Sequence, residues 1–362
     1  MRVLISGASV GGPALAYWLG RHGFETTLVE RAPGPRKGGQ AVDIRGAALT
    51  VVAKMGVLER ITALRTTMRG MSMLDGDGNE LMRSVEETIS GGRFDSPDVE
   101  IMRDDLAAVL TAVSGGGYLY GDSIAALAQD AQGVDVTFES GRRERYDYVV
   151  GADGLHSNVR GLTFGEESRF LRHLGTYVSI FTADNFLGLD HWQTWFREGD
   201  AGGAVYSDRD TSVMRVNLGF GAGPIDYDHR DTDQQRRLVQ EHCSGLRWEV
   251  PKLLEAMWRS DDFYFDAMAQ VTMERWSEGR VALVGDAGYC ASPLSGQGTS
   301  LALVGAYVLA EELGRDPVTA FERYEERLRP FVAANQALAL ENPGQGAAPE
   351  SVQKAANSIT LD

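Results

Sequence analysis

The sequence predicts an α/β fold: a parallel sheet flanked by helices, interrupted in the chain by an inserted antiparallel sheet. Three observations predict it. A strand, a glycine turn, a helix and a second strand fill the first 30 residues. The same style returns after residue 280. Between them, residues 170–265 alternate aromatic and aliphatic side chains with polar turns.

The elements follow in order. Val3, Leu4 and Ile5 form a short buried strand, and Gly7-Ala8-Ser9-Val10-Gly11-Gly12 is the turn. Pro13 suits a first helical turn, where its missing N–H costs little. Ala14, Leu15, Trp18 and Leu19 recur at helical spacing, His22-Gly23 ends the helix, and Thr26–Val29 is the second strand, with Glu30 at its end. Residues 31–46 form a loop rich in Gly, Pro and charge (Gly34, Pro35, Arg36, Lys37, Gly38, Gly39). Helices are predicted over 47–60 and 103–113. A hairpin over 69–84 turns at Asp75-Gly76-Asp77-Gly78-Asn79. Val134–Glu139 and Arg145–Val150 read as paired strands around Ser140-Gly141. A helical segment covers about 231–258, a strand 281–284, a glycine loop 285–298, and helices about 299–314 and 317–340. The Gly-, Ala-, Pro- and Gln-rich tail after 341 reads as disordered or loosely docked. The expected modules are thus 1–170 with 267–340, an inserted 171–266, and the tail 341–362. There is no internal repeat.

Composition narrows the function. The chain has 362 residues, enough for two domains and a sizeable core. Its 35 basic against 51 acidic residues give a net charge of −16, which repels phosphate backbones and anionic lipid. Neither a nucleic-acid nor a membrane role is expected. Cys243 and Cys290 are far apart and no Cys/His cluster exists, so no metal site is predicted. The N-terminal apolar run is too short for a signal peptide, and no run of about 20 apolar residues appears. A cytoplasmic monomer or homodimer is expected.

Three constellations carry chemistry. The first is Gly7-x-Ser9-x-x-Gly12 with Glu30 downstream. In a βαβ unit such glycines let backbone N–H groups reach a pyrophosphate, and an acidic residue about 20 positions on binds ribose hydroxyls. Ser9 replaces the middle glycine, and a bare turn without a ligand would leave a similar pattern. The second is Gly151-Ala152-Asp153-Gly154-Leu155-His156-Ser157-Asn158-Val159-Arg160, after a strand. The third is the strand ending in Gly285-Asp286, followed by Pro293 and Gly296-Gln297-Gly298 at a helix start. Each could be a turn plus a cap. Three in order, each after a buried strand, point to one nucleotide.

In this combination the sequence resembles the single-component FAD-dependent monooxygenases of the para-hydroxybenzoate hydroxylase type. Within them it is most similar to the shorter branch that includes the tetracycline-inactivating flavin monooxygenases. The resemblance runs to about residue 335 and covers the middle sheet least. It implies a Rossmann-like FAD domain of the glutathione-reductase type, a substrate-binding sheet and a C-terminal helix. It implies that Gly7, Ser9, Val10, Gly11 and Gly12 bind the FAD pyrophosphate and that Glu30, with Arg31 nearby, holds the adenosine ribose. Arg103 would lie on the FAD side, Asp286 at the ribitol and pyrophosphate, and Asp153 and Arg160 in a motif shared by FAD and NAD(P)H. Pro293, Gly296, Gln297 and Gly298 would border the isoalloxazine. The implied reaction is hydroxylation of an aromatic or polycyclic substrate with O2 and NADH or NADPH, through a flavin C4a-hydroperoxide. The cofactor does such chemistry while the protein supplies position and dryness.

Asp43 and Arg45, in the glycine-hinged loop, face either the ring and substrate or plain solvent. The aromatic stripe Tyr177, Trp192, Trp195 and Phe196 splits between core and pocket, since alternation puts 192 and 196 on one face and 195 on the other. His156 reads as structural, Cys290 as a loop residue, and His173, His191 and His229 have no visible partner. Two rivals remain: an FAD-dependent oxidase, dehydrogenase or reductase on the same scaffold, and a non-catalytic flavin-binding protein. No Trp-x-Trp-x-Ile-Pro segment points to a halogenase.

Overall fold

The computed structural model describes residues 1–35, 38–89, 91–342 and 346–361. Arg36 and Lys37 of the glycine-rich loop, and part of the tail, lie outside them.

Val3, Leu4 and Ile5 are fully buried because their strand, Arg2–Ser6, lies inside a sheet covered on both faces. It pairs in parallel with Glu25–Glu30 on one side and Tyr148–Gly151 on the other. The full order is Ser277–Glu278, Val281–Leu283, Tyr148–Gly151, Arg2–Ser6, Glu25–Glu30, Gly117–Tyr120. Helix Gly11–Arg21 buries Ala14, Leu15, Trp18 and Leu19. The Trp18 ring meets Tyr307 of helix Gly298–Arg315 edge-on, 4.9 Å between centroids. Each such buried apolar side chain stabilises by roughly 1.5–3 kcal/mol.

A second sheet has seven strands in the order Tyr264–Val271, Leu171–Asp184, Val213–Gly221, Ala201–Ser207, Trp192–Glu198, Gly70–Leu74, Glu80–Ser84. One face packs on helices Thr232–Cys243 and Val250–Arg259, with Phe181, Phe196, Val216, Leu218 and Phe265 in a core of its own. The other face looks onto the nucleotide module. The hairpin at 70–84, expected with the first module, is the edge of this sheet, and Gly70–Leu74 pairs in parallel with Trp192–Glu198. Its turn signal fixed the hairpin but carried nothing about which sheet it would join.

Other boundaries differ for local reasons. The helix expected over 47–60 is two, Ala47–Lys54 and Leu58–Ala63, broken at Gly56 with φ 72°. The segment 231–258 also divides, because Gly245 and Pro251 end one helix and start the next. Arg143–Tyr146 pairs with Val134–Phe138 as expected, but Tyr148–Gly151 leaves to join the parallel sheet. Asp147 is the switch, its N–H donating to Arg2 O at 2.9 Å.

The described part of the tail, 346–361, is docked rather than loose. Helix Pro349–Ala356 buries Ala355 and Ala356, and Asn335 Nδ2 of helix Ala320–Leu338 donates to Ala355 O at 3.2 Å. Its small residues let the two backbones approach, which composition alone reads as disorder.

Candidate active site

The three glycine bends meet at the carboxyl edge of the parallel sheet. Backbone bonds stitch them together: Gly7 N to Val29 O at 2.8 Å, Ala152 N to Ser6 O at 2.7 Å, and Val284 N to Gly151 O at 2.8 Å. Gly7, at φ 104°, lies so close to the second bend that a Cβ would stand 2.3 Å from Ala152 O. A Cβ on Gly12 would stand 1.9 Å from Gly7 O. No other residue fits either position without moving backbone.

A cleft of about 3240 Å³ opens above these bends, against the 300–1,000 Å³ typical of one drug-sized ligand. Of the residues singled out from sequence, Gly7, Ser9, Val10, Gly11, Glu30, Arg31, Asp43, Arg45, Arg103, Asp153, Asp286, Pro293, Gly296, Gln297 and Gly298 line it. Glu30 ends its strand at the cleft, its carboxylate accepting from Ala8 N at 3.1 Å and Ala32 N at 3.0 Å. Arg103 Nη1 donates to Ser9 Oγ at 3.2 Å, and its Nη2 to Gly38 O at 3.0 Å. Asp286 opens the helical turn Asp286–Tyr289, and burial holds its carboxyl above the usual range.

Gly12 and Arg160 lie behind the cleft wall. Arg160 is fully buried and donates to Ala287 O, Leu155 O and Glu167 Oε2, clamping the second bend to the third. The Asp153 carboxylate accepts from Ser6 Oγ, Ser157 Oγ and Val159 N. His156 is held between two acids, 2.8 Å from Glu167 Oε1 and 3.1 Å from Asp266 Oδ1. Burial pulls its pKa down, but these bonds outweigh burial and raise it to about 9. His229, without a visible partner in sequence, stacks on the His156 ring at 3.7 Å. His191 Nδ1 sits 2.6 Å from Thr67 Oγ1.

At the other end of the cleft, helix Gly298–Arg315 begins at Gln297. Gln297 is wholly buried, yet neither its amide oxygen nor its nitrogen has a hydrogen-bond partner. A buried unpaired amide costs about 1–3 kcal/mol, so a ligand edge that pairs it is favoured there. Beside it, Arg45 N donates to Ser300 Oγ at 3.1 Å, and Arg45 Nη2 pairs with Asp43 Oδ2 at 2.9 Å. Burial raises the pKa of Asp43. Arg45 opposes this, Glu100 and Asp98 add to it, and the value ends at about 7.

The facing wall is the large sheet. Trp195, Ala204 and Asn217 form one cross-strand row on it, with Met71, Met73 and Ile180 nearby. Phe196, one residue on, points into the opposite core. Tyr206 ties the two modules, its hydroxyl accepting from Ala41 N at 2.9 Å. Sequence reasoning missed Tyr206, Asn217, Asp98 and Ser300. Strand alternation could have flagged the first two, while the others have no local signal.

Fold and cleft together define a nucleotide-binding redox enzyme of the flavoprotein type. A family model described as an FAD binding domain matches residues 1–337, and the chain belongs to that family. An uncharacterised protein of Mycobacterium tuberculosis is 49% identical over an alignment of 366 residues, covering 99% of this chain and 98% of that protein. A flavin-dependent monooxygenase from an unknown prokaryotic organism is 43% identical over 340 residues, 93% of this chain and 88% of that protein. The crystal structure of tetracycline destructase Tet(55) is 39% identical, with a TM-score of 0.89 over 99% of this chain and 98% of that one. The chain is therefore an enzyme of the FAD-dependent monooxygenases. Its residues fit the cofactor: glycine backbone with no room for side chains, an acid ending the second strand at the cleft and an unpaired amide at the far end. Among the described residues, no helix is long and apolar enough to cross a membrane.

Proposed function

We propose that this enzyme hydroxylates an aromatic or polycyclic small molecule with O2, taking its electrons from NADH or NADPH. One observation carries the reading. The cleft runs from the glycine cradle past Gln297 to a sheet wall whose central part presents Trp195, Met71, Met73, Ile180 and Ala204, with Asn217 as the polar member of its cross-strand row. Its volume leaves room for an elongated dinucleotide and a second molecule beside it.

Bound FAD supplies the redox and oxygen-activating chemistry. The chain's own groups divide the remaining work. The backbone of 7–12 holds the pyrophosphate at the start of helix Gly11–Arg21, where the dipole favours negative charge. Glu30, with Arg31 nearby, holds the adenosine ribose, and Arg103 and Asp286 fix the stretch between the nucleotide and the ring. Pro293, Gly296, Gln297 and Gly298 border the ring, and the N–H groups at the start of helix Gly298–Arg315 stabilise negative charge developing there. Arg45 and Asp43 face the ring and substrate end. Asp43 holds a proton for part of the time at neutral pH, which suits it to pass one. Asp153 and Arg160 keep the bends in register. The sheet wall excludes water and sets the substrate's position.

The test is turnover. The purified protein, loaded with FAD, is expected to consume NADPH or NADH rapidly only when O2 and a phenolic substrate are both present. One atom of isotopically labelled O2 should enter the product. Consumption that yields hydrogen peroxide in full, with no labelled product across a phenolic panel, would leave an oxidase on the same scaffold.

A further inference from the structure

We infer that His156, His229 and Glu167 form a binding site for one divalent transition ion of the zinc class, set in the seam between the nucleotide module and the large sheet. These residues bring one ligand atom each to within 4.8 Å of one another. His156 lies in the turn after strand Tyr148–Gly151, and Glu167 opens a short helical turn ahead of strand Leu171–Asp184. His229 lies in the loop between strand Val213–Gly221 and helix Thr232–Cys243. His156 and Glu167 are 11 residues apart but His229 lies in a distant loop, so no spacing motif announces the three.

The geometry suits a small ion. Bonds of about 2.0–2.1 Å at tetrahedral angles place neighbouring ligand atoms about 3.3 Å apart. The two measured edges straddle that figure: His156 Nδ1 to Glu167 Oε1 is 2.8 Å, and His229 Nε2 to the same oxygen is 3.9 Å. The two imidazoles stack with centroids 3.7 Å apart and planes tilted by 34°, so His156 stays on Asp266 and the more exposed His229 ring must turn to bring Nε2 onto the ion.

The surroundings resemble a built site. With Nδ1 on the ion, His156 Nε2–H keeps its bond to Asp266 Oδ1 at 3.1 Å. Glu167 keeps its second oxygen on Arg160 Nη2 at 2.6 Å. Such outer partners orient ligands and raise their basicity. Asp266 is itself fixed by Tyr227 and Tyr264, whose hydroxyls donate to it at 3.2 and 2.9 Å. Glu167 and Asp266 are balanced here by Arg160 and the His156 imidazolium, so the ion binds by displacing the Nδ1 proton of His156. His229 is partly exposed, which leaves an entry path and room for a water as fourth ligand. An ion there would pin the sheet module to the nucleotide module.

The experiment uses the untagged FAD-loaded protein, stripped with a chelator. Zn²⁺ is titrated calorimetrically, and Co²⁺ is followed by its absorption beyond the flavin bands. The expected result is one Zn²⁺ per chain with a Kd below about 100 µM, a tetrahedral Co²⁺ spectrum and a higher Tm with Zn²⁺. His229→Ala and Glu167→Gln should each weaken Zn²⁺ at least about 10-fold. His229→Ala removes a partly exposed ring and leaves the core intact, so its fold is not at issue. A Kd above 100 µM, or the same Kd in His229→Ala, overturns the inference. Neither result bears on hydroxylation, so this site and the proposed reaction stand or fall separately.

Discussion

The two walls of the cleft are built on different physical plans. The nucleotide wall is mostly backbone: bends packed so closely that Gly7 and Gly12 have no room for a Cβ, helix starts, and a few fixed acids. The sheet wall is side chains on an alternating surface, where Trp195 lines the cleft and Phe196 packs on Trp248 in the sheet's own core. Backbone recognition tolerates little change, because substitution collides with main chain. Side-chain recognition changes freely, because a strand keeps its pairing whatever points outward.

The comparison breaks or sharpens on five measurements. The largest effect is expected for Gly12→Ala, whose new methyl would sit 1.9 Å from Gly7 O. Overpacking of this kind costs about 1–3 kcal/mol and more against backbone. The variant should purify colourless, with a Tm many degrees lower by calorimetry. A yellow variant with unchanged Tm would show that the bends have slack. Phe196→Ala comes next, with about 3–5 kcal/mol lost in denaturant unfolding. Its neighbour Trp195→Ala should leave stability and FAD content nearly intact. It should raise KM about 10- to 100-fold, the loss of about 1.5–3 kcal/mol of apolar contact. If the two neighbours behave alike, the division of faces is wrong.

Glu30→Ala removes the charged acceptor proposed to hold the adenosine ribose, worth about 1.5–3 kcal/mol. FAD titration should show affinity about 10- to 100-fold weaker with little change in kcat at saturation. The fifth measurement concerns Asp43, whose effect appears only as a dependence on pH. Its pKa rises on folding from near 4 to about 7, so the folded state binds more protons than the unfolded between those values. Stability from this group is therefore fully present below about pH 4 and lost as pH rises through 7. Asp43→Asn should remove that slope, gaining on the parent by on the order of 1–4 kcal/mol between pH 5 and 8 in parallel urea titrations. An identical pH profile in the two proteins would mean that Asp43 is charged throughout.

Much of the nucleotide wall was legible because its rules are local. A tight strand-to-helix turn needs glycine wherever backbone meets backbone, and Glu30 follows at the spacing that one helix and one strand require. Arg103 was legible by resemblance, and the structure sets it against Ser9. Arg160 was legible as part of a motif but not as a clamp behind the wall, since its carbonyl partner at Ala287 lies 127 residues on. The sheet wall gave only its alternation. Nothing local said that 70–84 would become its edge, that Tyr206 would reach Ala41, or that His156 would lie between Glu167 and Asp266. The docked tail was hidden for the same reason: small residues read as disorder until a partner helix is in place.

The amino-acid order by itself determined the α/β class and the three glycine bends, because each follows from backbone sterics within a few positions. Tertiary structure alone decided which of those bends touch, which charged groups face the cleft and which brace it from behind, and what the large sheet presents. Those outcomes depend on contacts between residues more than a hundred positions apart, which no local preference encodes.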